Sequence, residues 1–198
     1  MLLLIFIFIT TILLIKLNEI LGQRIGHRIP KEYLKDFDDK PAEVTEVDTA
    51  EKNTEFIKKY FKNFTAEDFL GKAKKAFEII FKAYAEEDKA TLRNLLMPQI
   101  YTAFSKAIDD RRQRGESLEG TIVSFDSSEI TEVSADSRTV FITVKFITEQ
   151  SNVLKASDGS ILEGNSDFVE SRTDIWVFAR KIGAVDATWY LYRIKSED

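Results

Sequence analysis

The spacing of apolar residues changes character repeatedly along the chain, and each change marks a different kind of structure. Leu2 to Ile15 is apolar except for Thr10 and Thr11, and the run continues past Lys16 through Leu17, Ile20 and Leu21. About 20 such residues in a helix rising ~1.5 Å each span ~30 Å, the hydrocarbon thickness of a bilayer. Lys16 lies one turn from the end of the span, where its ammonium can snorkel to the interface. Residues 1–21 therefore read as one transmembrane helix, with Leu4, Phe6, Phe8 and Leu13 in its apolar body. A cleaved signal peptide would need a basic segment before the run and a small-residue cleavage site after it. The sequence has neither.

The flank orients this anchor. Lys16, Arg24, Arg28 and Lys31 all follow the start of the span, and no Lys or Arg precedes it. Basic residues stay on the inner side. The expected placement is a single-pass inner (cytoplasmic) membrane protein with its C-terminal domain in the cytoplasm; the alternative is a mitochondrial inner membrane with the domain in the matrix. Gly22 and Gly26 sit among Gln23, Arg24 and His27, so they read as a headgroup-level turn more than a helix-pairing motif. Periodicity is then lost. Asp36, Asp38, Asp39, Glu43, Glu46, Asp48 and Glu51 dominate beside Pro30 and Pro41, the pattern of a self-repelling linker. Residues 22–53 are read as interfacial turn and acidic tether, and residues 54–198 as the folded domain.

A helical period begins at Thr54. In TEFIKKYFKNF, Phe56, Ile57, Tyr60, Phe61 and Phe64 share a face, with Lys58, Lys59 and Lys62 opposite. Such a helix can pack on a core or lie on an anionic membrane surface, and both readings stand. Thr65 with Asp68 resembles a capping box opening the strongest helix, through Phe69, Ala73, Phe77, Ile80, Phe81 and Tyr84. Asp88 caps a short helix to Leu96, and Pro98 opens another that Gly115 ends. Arg111, Arg112 and Arg114 crowd the end of that helix, where cations complement its dipole or offer a phosphate-binding patch.

From Gly120 the period becomes two. Strands are expected at 121–125, 129–133, 139–148, 168–180 and 188–194, with the third apolar on both faces and therefore central. Ser157-Asp158-Gly159-Ser160 is a turn between neighbouring strands. Helices followed by an antiparallel meander define an α+β fold, here preceded by one transmembrane helix.

Composition narrows the function. The 198 residues carry a net charge of −5, against a nucleic-acid partner, which needs a basic surface. With no Cys and one His, thiol chemistry, Cys-based metal sites and a His triad are excluded. No cofactor or metal is implied. Asp126, Asp174 and Tyr190 are the only candidates for general acid–base work, and Asp174 shares its strand face with Arg172 and Arg180, the setting of a structural ion pair. The chain is therefore read as not an enzyme. Phe77, Phe81, Tyr101, Phe104, Trp176, Phe178 and Trp189 are the aromatic residues that would line a pocket, or fill the core in its place.

KAFEIIFKAYAEEDKATLRNLLMPQIYTAFSKAIDDRRQRGE resembles the helical half of the Tim44-like domain, a family named for the motor-anchoring subunit of the mitochondrial presequence translocase. VFITVKF, DIWVFAR and ATWYLYRI resemble its strands, and LGQRIGHR after an apolar helix resembles the opening of bacterial members. The resemblance implies a cone-shaped fold similar to nuclear transport factor two, with helices on a curved antiparallel sheet. It also implies association with an inner membrane, with anionic lipid such as cardiolipin, and with protein partners of a translocase. The expected function is a membrane-anchored adaptor in protein translocation or membrane-complex assembly, contacting anionic lipid or protein. The alternative is a small-molecule-binding or isomerase-type enzyme on the cone fold.

Overall fold

The computed structural model describes residues 50–165 and 168–195. The anchor expected at residues 1–21, its flank and the tether up to residue 49 lie outside the described residues. Among the described residues, no helix is long and apolar enough to cross a membrane.

Helix α1 spans Ala50–Lys58 and starts four residues before the expected domain boundary. Asn53 and Ile57, one turn apart, are both buried, and this pins residues 50–53 to the domain instead of the tether. The helix is also shorter at its end than its apolar pattern predicts. Tyr60 N–H bonds to the Ile57 carbonyl and Phe64 N–H to the Phe61 carbonyl, three residues back in each case, so the chain leaves α1 through tight turns. Lys59, Tyr60, Phe61 and Lys62 therefore lie beyond the helix. The cause is the next element: Thr65, the N-cap of α2, needs extended backbone (φ −127°, ψ 139°), which a continuous helix could not supply.

Helix α2 runs Ala66–Ala85, α3 Lys89–Leu95 and α4 Pro98–Gln113. Their starts follow the local signals. Thr65 Oγ1 accepts the Asp68 N–H at 3.3 Å, one half of a capping box, while the Asp68 carboxylate turns to Lys72 at 2.7 Å. Asp88 accepts the N–H groups of Ala90 and Thr91, and Pro98 opens α4. Thr65→Ala is expected to destabilise the domain by about 1 kcal/mol, read as a lower urea midpoint with unchanged slope.

The strands are β1 Ser117–Ala135, β2 Thr139–Lys155, β3 Ile161–Gly164, β4 Glu170–Lys181 and β5 Tyr190–Lys195. They form an open antiparallel sheet in the order β1-β2-β4-β5, with β3 continuing the row of β4 along β2. The two strands expected at 121–125 and 129–133 are one. Asp126-Ser127-Ser128 looks like a turn in sequence, but register shifts near Ile122, Phe125 and Ile130 absorb it as irregularities within a single ladder against β2. Strand β2 is central, as its two apolar faces imply.

One face of the sheet carries the core. Phe77 of α2 meets Trp176 at 4.3 Å, Phe146 at 4.9 Å and Phe125 at 5.7 Å between ring centroids. Phe69 stands edge-on to Phe178 and Trp189. On the other face, Phe141, Val177 and Ala179 form a small second cluster under Met97 and Tyr192. Among the described residues, the buried apolar side chains fall between Ile57 and Leu191, so this stretch holds its own core.

Candidate functional site: a basic corner beside a filled aromatic core

The expected pocket residues all belong to, or pack against, one core cluster. Phe77, Phe104, Trp176 and Phe178 are buried, and Phe81, Tyr101 and Trp189 are half-buried against the same core. Phe104 packs on Tyr84, and Tyr101 accepts a hydrogen bond from Arg93 Nη2 at 3.0 Å on the helical side. Trp189 joins Phe61 at 5.5 Å and Phe69 at 5.2 Å, at one end of the sheet. Ring against ring, Phe77, Trp176 and Phe178 fill the interior that the sequence offered as a pocket lining.

Among the described residues, the surface depressions include a groove and a smaller recess. A groove of about 470 Å³ between α2 and the start of β1 has Phe81, Leu118 and Ile122 along it and Glu78 and Glu119 among its polar lining. A Cβ at Gly120 would stand 2.9 Å from the Phe81 ring and 2.7 Å from Asn152 Oδ1, so a larger residue there would push these side chains aside. A smaller recess of about 240 Å³ is bordered by Gln150, Asn152, Gly164 and Phe168.

The acid–base candidates lie apart. Asp126 is exposed and accepts from Ser124 Oγ at 3.2 Å. Asp174 accepts from Gln150 Nε2 at 3.3 Å, and that buried amide also donates to Thr148 Oγ1 at 2.7 Å. Of the arginines on its strand face, Arg172 holds Glu170 at 2.9 Å, and the Arg180 guanidinium lies 4.2 Å over the Phe61 ring. Tyr190 donates to Asp186 Oδ2 at 2.7 Å; that bond, then burial, pushes the phenol pKa up. Asp186 is held below the usual carboxylate range by the Thr188 hydroxyl, then by Tyr190. Among the described residues, no group of three or more His, Cys, Asp or Glu side chains is placed to hold a metal ion.

Within the arginine cluster that ends α4, Arg111 is a structural residue. Arg111 is 1 % exposed and donates through Nη2 to the carbonyls of Tyr84 (2.7 Å) and Ala85 (3.3 Å) at the end of α2. Its guanidinium also lies 4.8 Å over the Tyr84 ring. Glu87 pairs with Arg111 at 3.6 Å and Arg112 at 2.9 Å, and Arg114 pairs with Glu116 at 2.8 Å. Burial pushes the Tyr84 phenol up, and the nearby Arg111 charge offsets part of that rise.

What remains exposed and chemically distinctive is the corner where the α1–α2 turn meets the β4–β5 hairpin. Lys59, Tyr60 and Lys62 are exposed there, with Lys59 5.5 Å over the Phe56 ring and Lys58 paired to Glu55. Phe61 ties the turn to the hairpin through Trp189 and Arg180. The sequence pointed to the lysines of this corner; the hairpin beside them was missed, because only tertiary contacts bring residues 60 and 185 to one end of the domain.

Four helices and an open antiparallel sheet, joined by a core of packed aromatic rings, define an α+β domain. The family model of the Tim44-like domain matches residues 50–196, and the chain belongs to that family. Among solved structures, the crystal structure of the intermembrane space region of the chloroplast protein ARC6 is similar, at 14% identity and a TM-score of 0.45. That likeness covers 64% of this chain and 94% of the ARC6 chain. No curated protein sequence matches the chain.

Proposed function

We propose that this chain is a non-enzymatic adaptor, tethered to the inner face of an inner membrane, which serves protein translocation or membrane-complex assembly. It contacts anionic lipid, cardiolipin included, and protein partners. The observation that carries this reading is membership of the Tim44-like family across the whole folded domain. The basic, aromatic turn after α1 supports the lipid contact, because it stands directly after the segment that leads from the expected anchor. The filled core and the dispersed carboxylates support the absence of catalysis. The bend of the sheet around α2 is read as the cone that the family resemblance implies.

Flotation of residues 50–198 with vesicles containing anionic lipid, and crosslinking with mass spectrometry in intact membranes, test this. Co-flotation that weakens with salt, together with crosslinks to membrane-complex subunits, is the expected result. Absence of both lipid binding and protein crosslinks would end the adaptor reading. The α2–β1 groove favours a second reading, a small-molecule-binding module, since its volume and apolar residues suit a small apolar ligand.

A further inference from the structure

We propose that the tip of the β4–β5 hairpin, Val185, inserts into an anionic bilayer surface, with Lys59, Lys62, Arg138 and Lys181 engaging the headgroups around it. This deepens the membrane-surface reading above and rests on it. Val185 is 104% exposed, the most exposed large apolar side chain among the described residues. A single exposed valine is ordinary on a protein surface; its setting here is not.

The hairpin is held at its base. Ile182 N–H donates to the Arg138 carbonyl at 2.8 Å, which fastens it to the β1–β2 turn. Asp186 accepts the Thr188 N–H at 2.9 Å and the Tyr190 hydroxyl at 2.7 Å, and Trp189 packs against Phe61, Phe64 and Phe69. The apolar tip is therefore presented from a fixed platform.

At the same end of the domain, joined to the hairpin through Phe61–Trp189 and Ile182–Arg138, lie the exposed cations Lys59, Lys62, Arg138 and Lys181, and Tyr60 at 37% exposure. Against these four cations stand two carboxylates: Asp136, which accepts the N–H groups of Arg138 and Thr139 at 2.7 Å each, and Asp186, held as above. An apolar tip with a cationic collar is complementary to a surface that is negative outside and apolar within, as an anionic bilayer is. A protein partner needs about 800 Å² of matched surface on each side, whereas the exposed apolar side chains at this corner are one valine and part of a tyrosine.

The chain has no cysteine, so Val185→Cys gives a single attachment point for an environment-sensitive fluorophore. Residues 50–198, which hold the core and the family match, would be carried by an N-terminal hexahistidine tag on vesicles containing nickel-chelating lipid. The tag supplies proximity without the anchor. Asn63→Cys, in the α1–α2 turn, reports the turn, and Ser157→Cys, beyond the far end of β2, reports the opposite end. The expected result is a blue shift and quenching by acyl-chain nitroxide lipid at position 185 on anionic vesicles, with no such response on phosphatidylcholine and none at position 157 on either. Untagged protein carrying Lys59→Glu, Lys62→Glu and Lys181→Glu should partition onto anionic vesicles roughly 100-fold less. If position 185 stays aqueous while position 63 is quenched, the hairpin inference fails and the membrane reading stands. If both stay aqueous, both fail. Equal quenching on neutral vesicles, or at position 157, would overturn the charge-guided insertion proposed here.

Discussion

Arg111→Ala is expected to destabilise the domain by about 3–5 kcal/mol, the loss seen when one partner of a buried ion pair is removed. The origin lies at the end of α2. Helix carbonyls in a last turn lack intrahelical partners, and a glycine in the left-handed conformation commonly closes the turn. Here that place is taken by Glu87, at φ 60°, and the Asp88 N–H reaches the Ala83 carbonyl at 2.8 Å. The carbonyls of Tyr84 and Ala85 are served instead by Arg111 from α4. Glu87 accepts a backbone conformation that costs a non-glycine residue about 1–2 kcal/mol, and its carboxylate lies between Arg111 and Arg112. Truncating Arg111 strands two carbonyls, releases Glu87 and opens a hole against the Tyr84 ring together. Guanidinium denaturation of residues 50–198 reads the loss. A second readout separates this account from simple packing: Arg111→Met keeps most of the volume, yet the Tyr84 phenol should titrate still higher by ultraviolet absorbance, because the cation that holds its rise in check is gone. An unchanged Tyr84 titration, or a loss under 1 kcal/mol for Arg111→Ala, would contradict the capping role.

Phe77→Ala should cost about 3–5 kcal/mol. Phe77 is 1 % exposed and lies at the centre of the ring cluster, against Trp176, Phe146, Phe125 and Phe81. Its neighbours come from an α-helix and three strands, so they cannot close over the space without moving the layers apart. The residue removed is large and the cavity dry, so a small apolar molecule such as benzene should bind there and return part of the melting temperature. Near-ultraviolet circular dichroism should also weaken, since Trp176 loses the ring it packs on. The basic corner lies at the end of the sheet and not at this centre, so vesicle binding of the folded variant should match the wild type. A Phe77→Ala domain as stable as wild type would mean that the space is a ligand pocket and not a packed core, and would favour the small-molecule reading.

These two residues show where sequence reasoning reached and where it stopped. Phe77 was legible as an inward position, because a 3.6-residue apolar period fixes which face of α2 is buried. Whether that face would line a space or fill one was not, since ring packing depends on the shape of the facing sheet. Arg111 was read as a cation at the end of its own helix. Its actual partners lie 27 and 26 residues away, and sequence spacing gives no hint of them.

The same division runs through the whole domain. Local chemistry alone determined the caps at Thr65 and Asp88, the start of α4 at Pro98, the turn at Gly159, the central position of β2 and the α+β class, because each depends on a few neighbouring residues or on a simple period. Only the tertiary structure decided that α1 stops at Lys58, since α2's extended N-cap and the contact of Phe64 with Trp189 set that limit. It alone merged the two strands expected before residue 135, because the long partner β2 carries one ladder through the polar Asp126-Ser127-Ser128 segment. And it alone placed Val185 beside Lys59 and Lys62: residues more than a hundred positions apart become neighbours only when an aromatic cluster, centred on Phe61 and Trp189, makes burying their flanking rings the favourable arrangement.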